Sequence, residues 1–249
     1  LVYMYYIVNF FFVILFYSRP SRVINRAGQT PLSYKDLTPI SMLINDFGAY
    51  AVPKNSKFKT MKEVMDAIKK DPKSVKIGGT SSAGSMDHIQ FLEAARAAGI
   101  KNLKDIPYIS LQEGSMASLM GGHIDLLSTG MAETVGALEA GDIKVLAVSS
   151  PTRIKSGPLS KVPTLKESGI NTVFINWRGL FGAPGMAKAD RDIFAGALKK
   201  MSASAQWKDL CVKNGWEPVY MAPDQFDKFL AKTNDQYKVI LSEIGFLKK

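Results

Sequence analysis

The stretch at residues 77–88 is Ile-Gly-Gly-Thr-Ser-Ser-Ala-Gly-Ser-Met-Asp-His. The apolar-leaning run 75–77 predicts a short strand, and a helical pattern from about Ser85 predicts a helix that ends at Gly99. A strand, a loop of small residues and a helix in this order are typical of an α/β protein. The glycines let backbone approach a ligand, and the N–H groups at the helix start favour an anion. The stretch therefore predicts an α/β fold and an anion site within it.

Known phosphate-binding motifs do not account for this loop. It lacks the Gly-Lys-Ser/Thr ending of a Walker A loop and the Gly-x-Gly-x-x-Gly pattern of a dinucleotide site. An ordinary serine-rich turn that caps a helix explains the same residues. Both interpretations, ligand loop and helix cap, stay open at this point.

The charge of the chain favours small anions over nucleic acid. Its 249 residues carry 32 Lys and Arg against 22 Asp and Glu, which gives a formal net charge of +10. The lysines are scattered in pairs such as 69–70 and 199–200, and no zinc-finger or RNP-type motif is present. We therefore expect no nucleic-acid partner, and a surface field that draws small anions toward a site.

Few residues offer metal or thiol chemistry. The one cysteine, Cys211, excludes an intramolecular disulfide, and its apolar neighbours predict a buried, inert thiol. The two histidines, His88 and His123, lie far apart and lack Cys or acidic residues at ligand spacing. The sequence thus predicts neither a metal site nor a cofactor.

Residues 1–17 are almost wholly apolar, and Arg19, Arg22 and Arg26 follow them. The run is slightly shorter than the ~20 residues that span a bilayer. It lacks the basic start and the small-residue cleavage site of a signal peptide. An atypical membrane anchor, a damaged or partial signal, an incomplete start and a buried strand all remain open, with the incomplete start favoured.

From residue 31 onward, strand and helix patterns alternate, which predicts a mainly parallel sheet. The capping box Thr60-Met-Lys-Glu63 marks one helix start, and Asp71-Pro72 marks its end. The predicted strands are 37–44, 49–53, 75–77, 106–109, 123–127 and 143–148. The other predicted helices are 115–120, 132–140, 188–202, 204–214 and 223–242.

The order of short segments along the chain matches a known family. The segments are 35–40, 79–88, 106–108, 119–125, 139–148, 162–165, 176–184 and 214–218. Their order and spacing over roughly residues 31–249 resemble those of the solute-binding proteins of tripartite tricarboxylate transporters, the Bug-type family. The resemblance implies a two-lobed periplasmic-binding-protein (type II) architecture that closes by a hinge movement. Residues 1–30 would stand apart, 31–102 with 221–249 would form a partial first lobe, and 103–220 the second.

The resemblance also implies a function. Such a receptor captures a small organic carboxylate in the periplasm and delivers it to the membrane permease subunits of the transporter, without chemistry. The family holds the carboxylate between two loops, one of which matches residues 79–85. The other loop, with the preceding strand and following helix, has no counterpart before Lys35. Ser128-Thr129-Gly130 replaces an Asp-Asn pair of many relatives. We therefore expect an incomplete first lobe and an atypical or incomplete export signal.

The ligand-binding set predicted on this basis is Thr80, Ser81, Ser82, Ala83, Gly84, Ser85, His88, Tyr108 and Thr129. The loop residues would donate backbone N–H and hydroxyl groups to the ligand. His88, one turn into the helix, would support the loop or touch the ligand, and a packing or solvent role is an equal alternative. Tyr108, at the end of a strand, would close over the ligand, and a half-buried strand aromatic is an equal alternative. Trp177 is predicted to pack in a core, and Asp125 to accept backbone N–H bonds.

Two other functions compete with the receptor. Ser85 and His88, three residues apart on a helix, could act as nucleophile and base of a serine-dependent acyl-transfer enzyme. However, no Gly-x-Ser-x-Gly elbow is present. A ligand-sensing domain of a regulator shares the two-lobed architecture, but residues 1–30 supply no helix-turn-helix. We expect a receptor and not an enzyme.

Overall fold

The long strand at residues 38–53 organises the chain in the computed structural model. The structure describes residues 15–17, 34–111, 113–155 and 157–246, with the backbone alone for 15–17. The strands are β1 Leu15–Tyr17, β2 Thr38–Pro53, β3 Ile77–Gly79, β4 Tyr108–Ser110, β5 Leu126–Gly130, β6 Ile143–Val148, β7 Ile175–Gly182 and β8 Glu217–Met221. The helices are α1 Met61–Lys70, α2 Met86–Ala97, α3 Ser115–Met120, α4 Val135–Glu139, α5 Lys188–Ala203, α6 Ala205–Lys213 and α7 Pro223–Glu243. Short 3-10 turns lie at Tyr34–Asp36, Leu103–Asp105, Met131–Thr134 and Pro158–Lys161.

Contacts divide the described residues into two compact units. The first unit comprises residues 15–17, 34–46 and 176–239, and the second comprises 47–175 and 240–246. The boundaries therefore fall within β2, at the start of β7 and near the end of α7. The division into lobes near residues 102 and 220 stays a prediction.

The second unit has a mixed sheet in the order β6-β2-β5-β3-β4. The pairs β3–β4 and β3–β5 are parallel, whereas β2 runs antiparallel to both β5 and β6. The expected parallel arrangement thus holds for β3, β4 and β5 but not for β2.

Local sequence explains why α1 begins and ends where it does. Thr60 Oγ1 accepts a hydrogen bond from Glu63 N–H (3.2 Å), and Glu63 Oε2 accepts one from Lys59 N–H (2.6 Å). These bonds satisfy N–H groups that the helix itself cannot pair. The apolar face of α1 is fully buried through Met61, Val64, Met65 and Ile68. Thr60 is thus the N-cap, as predicted, whereas Glu63 bonds to the N–H of Lys59 and not to that of Thr60, as a complete capping box would require.

The first unit contains β1, β7, β8 and the beginning of β2. β1 pairs antiparallel with β7, and β8 pairs antiparallel with β2. Its core is aromatic. The ring centroid of Phe226 in α7 lies 5.3 Å from that of Trp177, in a T-shaped pair, and 5.2 Å from that of Phe181. Trp177 is buried, as predicted, and so is Cys211.

Two predicted strands, 37–44 and 49–53, are one continuous strand in the structure. Asp46 lies at the predicted break, and its buried carboxylate accepts hydrogen bonds from Asn176 (3.1 Å) and Arg178 (3.2 Å). These partners satisfy a charge that would otherwise exclude the residue from a buried strand. Strands β7 and β8 were not predicted, and β5 begins three residues after the predicted start at 123.

The predictions for residues 1–17 concern a segment that lies outside the described residues, apart from Leu15–Tyr17, which form β1. None of the helices within the described residues combines the length and apolar character needed to cross a bilayer.

Candidate functional site

The predicted ligand loop connects β3 to α2 in the second unit. β3 is fully buried, and the chain emerges from it at Thr80. Ser82 and Ala83 are exposed at the apex of the loop, whereas Ser85 is buried at the N-cap position of α2, where its side chain makes no capping hydrogen bond. The loop therefore offers a short exposed apex between two anchored ends.

Ser81 and Asp87 close the inner side of the loop. Ser81 N–H donates to Asp87 Oδ2 (2.8 Å), and Asp87 N–H donates to Ser81 Oγ (3.1 Å). Asp87 is 3% exposed, and its carboxylate lies at the positive end of the α2 dipole. The pair is a capping arrangement over a wider spacing than the usual box, and it fixes the start of the loop.

Gly84 and His88 fix the other end. Gly84 N–H donates to His88 Nδ1 (3.0 Å), and Gly84 has φ of 76°. This left-handed conformation favours glycine, because a Cβ atom is strained there. The imidazole stacks on Tyr108 of β4, with ring centroids 4.4 Å apart and an interplanar angle of 24°. Tyr108 Oη donates to Ser81 C=O (2.8 Å), so the stacked pair reaches both ends of the loop.

Phe246 completes an aromatic cluster around the loop. Its ring packs edge-on against His88, with centroids 6.2 Å apart. A Cβ atom added at Gly84 would lie 2.5 Å from Phe246 Cδ2. Glycine is thus required at 84 for space as well as for conformation.

Gly79 is required where three elements meet. A Cβ atom there would lie 2.2 Å from Tyr108 Oη, 2.7 Å from Asp87 Cβ and 2.9 Å from Ser128 C=O. The absent side chain lets α2, β4 and β5 approach the end of β3 together. The close packing holds the loop against its sheet.

Thr129 of β5 extends the site toward a carboxylate. Thr80 Oγ1 and Thr129 Oγ1 are 3.4 Å apart, and the Thr129 hydroxyl donates to Glu133 Oε2. Glu133 Oε2 also accepts from Gly130 N–H (3.3 Å). The hydroxyl groups of both threonines therefore belong to a series of hydrogen bonds that ends at the Glu133 carboxylate.

A buried polar network supports α2 from below. Gln90 is fully buried, and its Nε2 donates to Ser128 Oγ (2.8 Å) and to Thr129 C=O (3.1 Å). Ser128 Oγ donates to Asp87 C=O (2.8 Å), and Tyr50 Oη donates to Gln90 C=O (3.0 Å). These bonds fix the first turns of α2 relative to the sheet of the second unit.

Burial sets the protonation of the aromatic pair. It lowers the pKa of His88 to about 4, so the imidazole is neutral at pH 7. Burial, and after it the charge of Asp87, raise the pKa of the Tyr108 hydroxyl, which therefore stays a hydrogen-bond donor. Both rings keep the protonation states that their hydrogen bonds need.

Several backbone N–H groups among the described residues of the loop and the first helical turn remain available. Within the described residues, Ser82, Ala83 and Met86 N–H find no acceptor. The first N–H groups of a helix cannot be paired by the helix itself and favour an anion. The arrangement can bind a carboxylate at the exposed apex through N–H and hydroxyl donors.

All predicted ligand-binding residues lie in the second unit, and hydrogen bonds or ring contacts connect most of them. However, three of the predicted donors use their N–H groups within the protein, namely Ser81, Gly84 and Ser85. Three residues of the site were not predicted from the sequence, namely Asp87, Gln90 and Phe246. Only Asp87, an acidic residue in the first turn of a helix, carried a local signal. Asp125 accepts from Lys76 N–H (2.8 Å), as predicted.

In the described structure, Ser85 and His88 do not form the hydrogen-bonded nucleophile and base of a serine enzyme. His88 Nδ1 accepts from Gly84, and in the described structure neither nitrogen of His88 bonds to Ser85. Ser85 Oγ instead lies 3.0 Å from Ser82 Oγ. Among the described side chains, no group of three or more His, Cys, Asp or Glu is placed to hold a metal ion.

Comparisons with known proteins agree on one family. The profile of the tripartite tricarboxylate transporter family receptor matches residues 25–246. The "UPF0065 protein in gbd 5′region" of Cupriavidus necator is 30% identical over 217 residues, which are 86% of this chain and 64% of that protein. The chain thus spans less than two thirds of the length of this relative.

Solved structures give the same result. A TctC solute-binding protein from Polaromonas is 25% identical, with a TM-score of 0.73 over 92% of this chain and 77% of that chain. The R. palustris protein Rpa4515, solved with adipate, is 19% identical, with a TM-score of 0.76 over 93% of this chain and 77% of that chain. Because its identity to this chain is only 19%, the similarity to Rpa4515 concerns the fold alone.

Proposed function

Because this chain belongs to the receptor family of tripartite tricarboxylate transporters, we propose that it binds a small organic carboxylate through the loop 80–85. It then delivers that ligand to the permease subunits of such a transporter. The binding takes place outside the cytoplasmic membrane, where receptors of this family work. No covalent step is involved.

One observation carries the proposal: the exposed apex of the loop that precedes α2 presents unpaired N–H groups. Ser82 and Ala83 are exposed, and their N–H groups have no acceptor within the described residues. A carboxylate accepts such bonds more strongly than a neutral group does. The carboxylate of Asp87 is buried and already bonded to Ser81, so the apex stays open to an external anion.

The loop does not need to move far to bind. Both of its ends are held by side chains of the same unit, Asp87 and His88. A loop fixed before binding loses little conformational entropy when the ligand arrives. The net positive charge of +10 adds a long-range attraction for anions.

Isothermal titration calorimetry on the full chain tests this function. The panel contains adipate, malate, citrate and benzoate, with adipamide as the uncharged match of adipate. We expect at least one acid to bind and adipamide not to bind. A ligand at ~100 times its dissociation constant should also add about 2.7 kcal/mol to the free energy of unfolding. A folded protein that binds none of these acids, or that a fluorophosphonate labels at Ser85, contradicts the receptor.

A further inference from the structure

We propose that His88 and Tyr108 are positioning residues for ligand binding, a stacked pair that holds both ends of the loop so that its apex is preformed. This inference rests on the proposed function and assigns a role to two residues that need not touch the ligand. The pair acts on the loop through Gly84 N–H and Ser81 C=O.

The geometry supports a joint action of the two rings. The bonds to Gly84 (3.0 Å) and Ser81 (2.8 Å) anchor the residues that flank the exposed apex. The rings are stacked at 4.4 Å, so a displacement of one displaces the other. Because His88 belongs to α2 and Tyr108 to β4, the pair also ties the loop to two separate elements.

The bond that holds Gly84 requires a neutral His88 imidazole. His88 Nδ1 is an acceptor in the bond with Gly84, so the ring proton resides on Nε2. A second proton on Nδ1 would face Gly84 N–H and remove the bond. The rings of Tyr108 from β4 and Phe246 from the C-terminal segment pack against the imidazole. Asp87, its neighbour in α2, directs its carboxylate to Ser81 N–H. Burial, not any of these charges, keeps the proton off.

Four variants separate positioning from mere stability. His88→Asn places an amide oxygen near the position of Nδ1, keeps an acceptor for Gly84 and cannot titrate. His88→Ala removes the acceptor. Tyr108→Phe keeps the ring stack but removes the bond to Ser81. His123→Asn is the matched control, because His123 is exposed and is the other histidine of the chain.

Two readouts are measured on the full chain. The first is the amide proton shift of Gly84 in protein labelled with ¹⁵N-glycine, followed from about pH 7 to about pH 4. We expect this shift to follow the titration of His88 in the wild-type and His123→Asn proteins and to stay constant in His88→Asn. A Gly84 shift that is unchanged when His88 titrates overturns the inference.

The second readout is the affinity for adipate at pH 7. Loss of one neutral hydrogen bond should weaken binding about fivefold in His88→Ala and in Tyr108→Phe. His88→Asn should restore wild-type affinity within about twofold, which a purely structural role of the ring would not allow. Wild-type affinity in folded His88→Ala overturns the inference. If no acid of the panel binds the wild-type protein, the proposed function fails, and the Gly84 shift still decides whether the pair positions the loop.

Discussion

Ser81 and Asp87 exchange two hydrogen bonds across six residues, from Ser81 N–H to Asp87 Oδ2 (2.8 Å) and from Asp87 N–H to Ser81 Oγ (3.1 Å). The exchange folds the loop back onto the helix that it precedes. It occupies the donors nearest the buried carboxylate, whereas the apex at Ser82 and Ala83 stays exposed. The stability of the loop should therefore depend on Asp87 more than on any of its serines.

We expect Asp87→Ala to lower the free energy of unfolding by about 2 kcal/mol, because it removes a charged acceptor and leaves Ser81 N–H unpaired. Urea denaturation measures the change. Asp105→Ala is the control: Asp105 is exposed, and the expected loss is below about 0.5 kcal/mol. Equal losses in the two variants would contradict the capping role of Asp87.

Gly79→Ala should destabilise the chain by about 2 kcal/mol, because the new methyl group collides with Asp87 Cβ and Ser128 C=O, neither of which can move freely. Urea denaturation reports this loss as well. Gly136→Ala in α4 is the matched control, since a Cβ atom there meets nothing within 4 Å. It should be neutral or slightly stabilising. A neutral Gly79→Ala would show that the three elements are less closely packed than the structure indicates.

The sequence predicted the parts of this site that depend on neighbours along the chain. Glycines, serines and the helical pattern after Ser85 marked the loop, and Thr60 with Glu63 marked the start of α1. It could not predict contacts across long separations. The continuity of β2 depends on Asp46 meeting Asn176, which is 130 residues away. Likewise, Phe246 reaches the loop only through the fold, and no local pattern distinguishes it from any other terminal aromatic residue.

Acid should destabilise the chain through His88. The unfolded histidine binds a proton near pH 6.5 and the folded one near pH 4, so between these values the unfolded state holds more protons. Stability is complete above about pH 6.5 and falls as the pH is lowered toward 4, by about 3 kcal/mol at about 1.4 kcal/mol for each pKa unit. Urea denaturation at several pH values, compared with His88→Asn, isolates this contribution. Parallel pH profiles of the two proteins would exclude it.

The aromatic core of the first unit should be sensitive to Phe226. This side chain is fully buried between Trp177 and Phe181. Phe226→Ala should cost about 3–5 kcal/mol through lost burial and a residual cavity. Guanidinium denaturation followed by tryptophan fluorescence measures it. Leu210→Ala on the exposed face of α6 should change stability by less than about 0.5 kcal/mol, and a similar loss in both would argue against this core.

A negative charge at the loop apex should weaken ligand binding without unfolding the protein. Ala83 is exposed and carries an unpaired N–H, so Ala83→Asp places a carboxylate where the ligand carboxylate would bind. Two like charges about 4 Å apart repel by several kcal/mol at intermediate dielectric, and we expect affinity for a binding acid of the panel to fall at least about tenfold. Salt should restore part of it.

Ala83→Asn, which has the same shape without the charge, is the control and should bind within about threefold of wild type. Calorimetry gives the affinities, and thermal unfolding shows whether both variants stay folded. If Ala83→Asp binds as tightly as Ala83→Asn, the carboxylate does not bind at this apex. The anion site would then lie elsewhere in the chain. The unpaired N–H groups of the loop would be hydrogen-bonded to water.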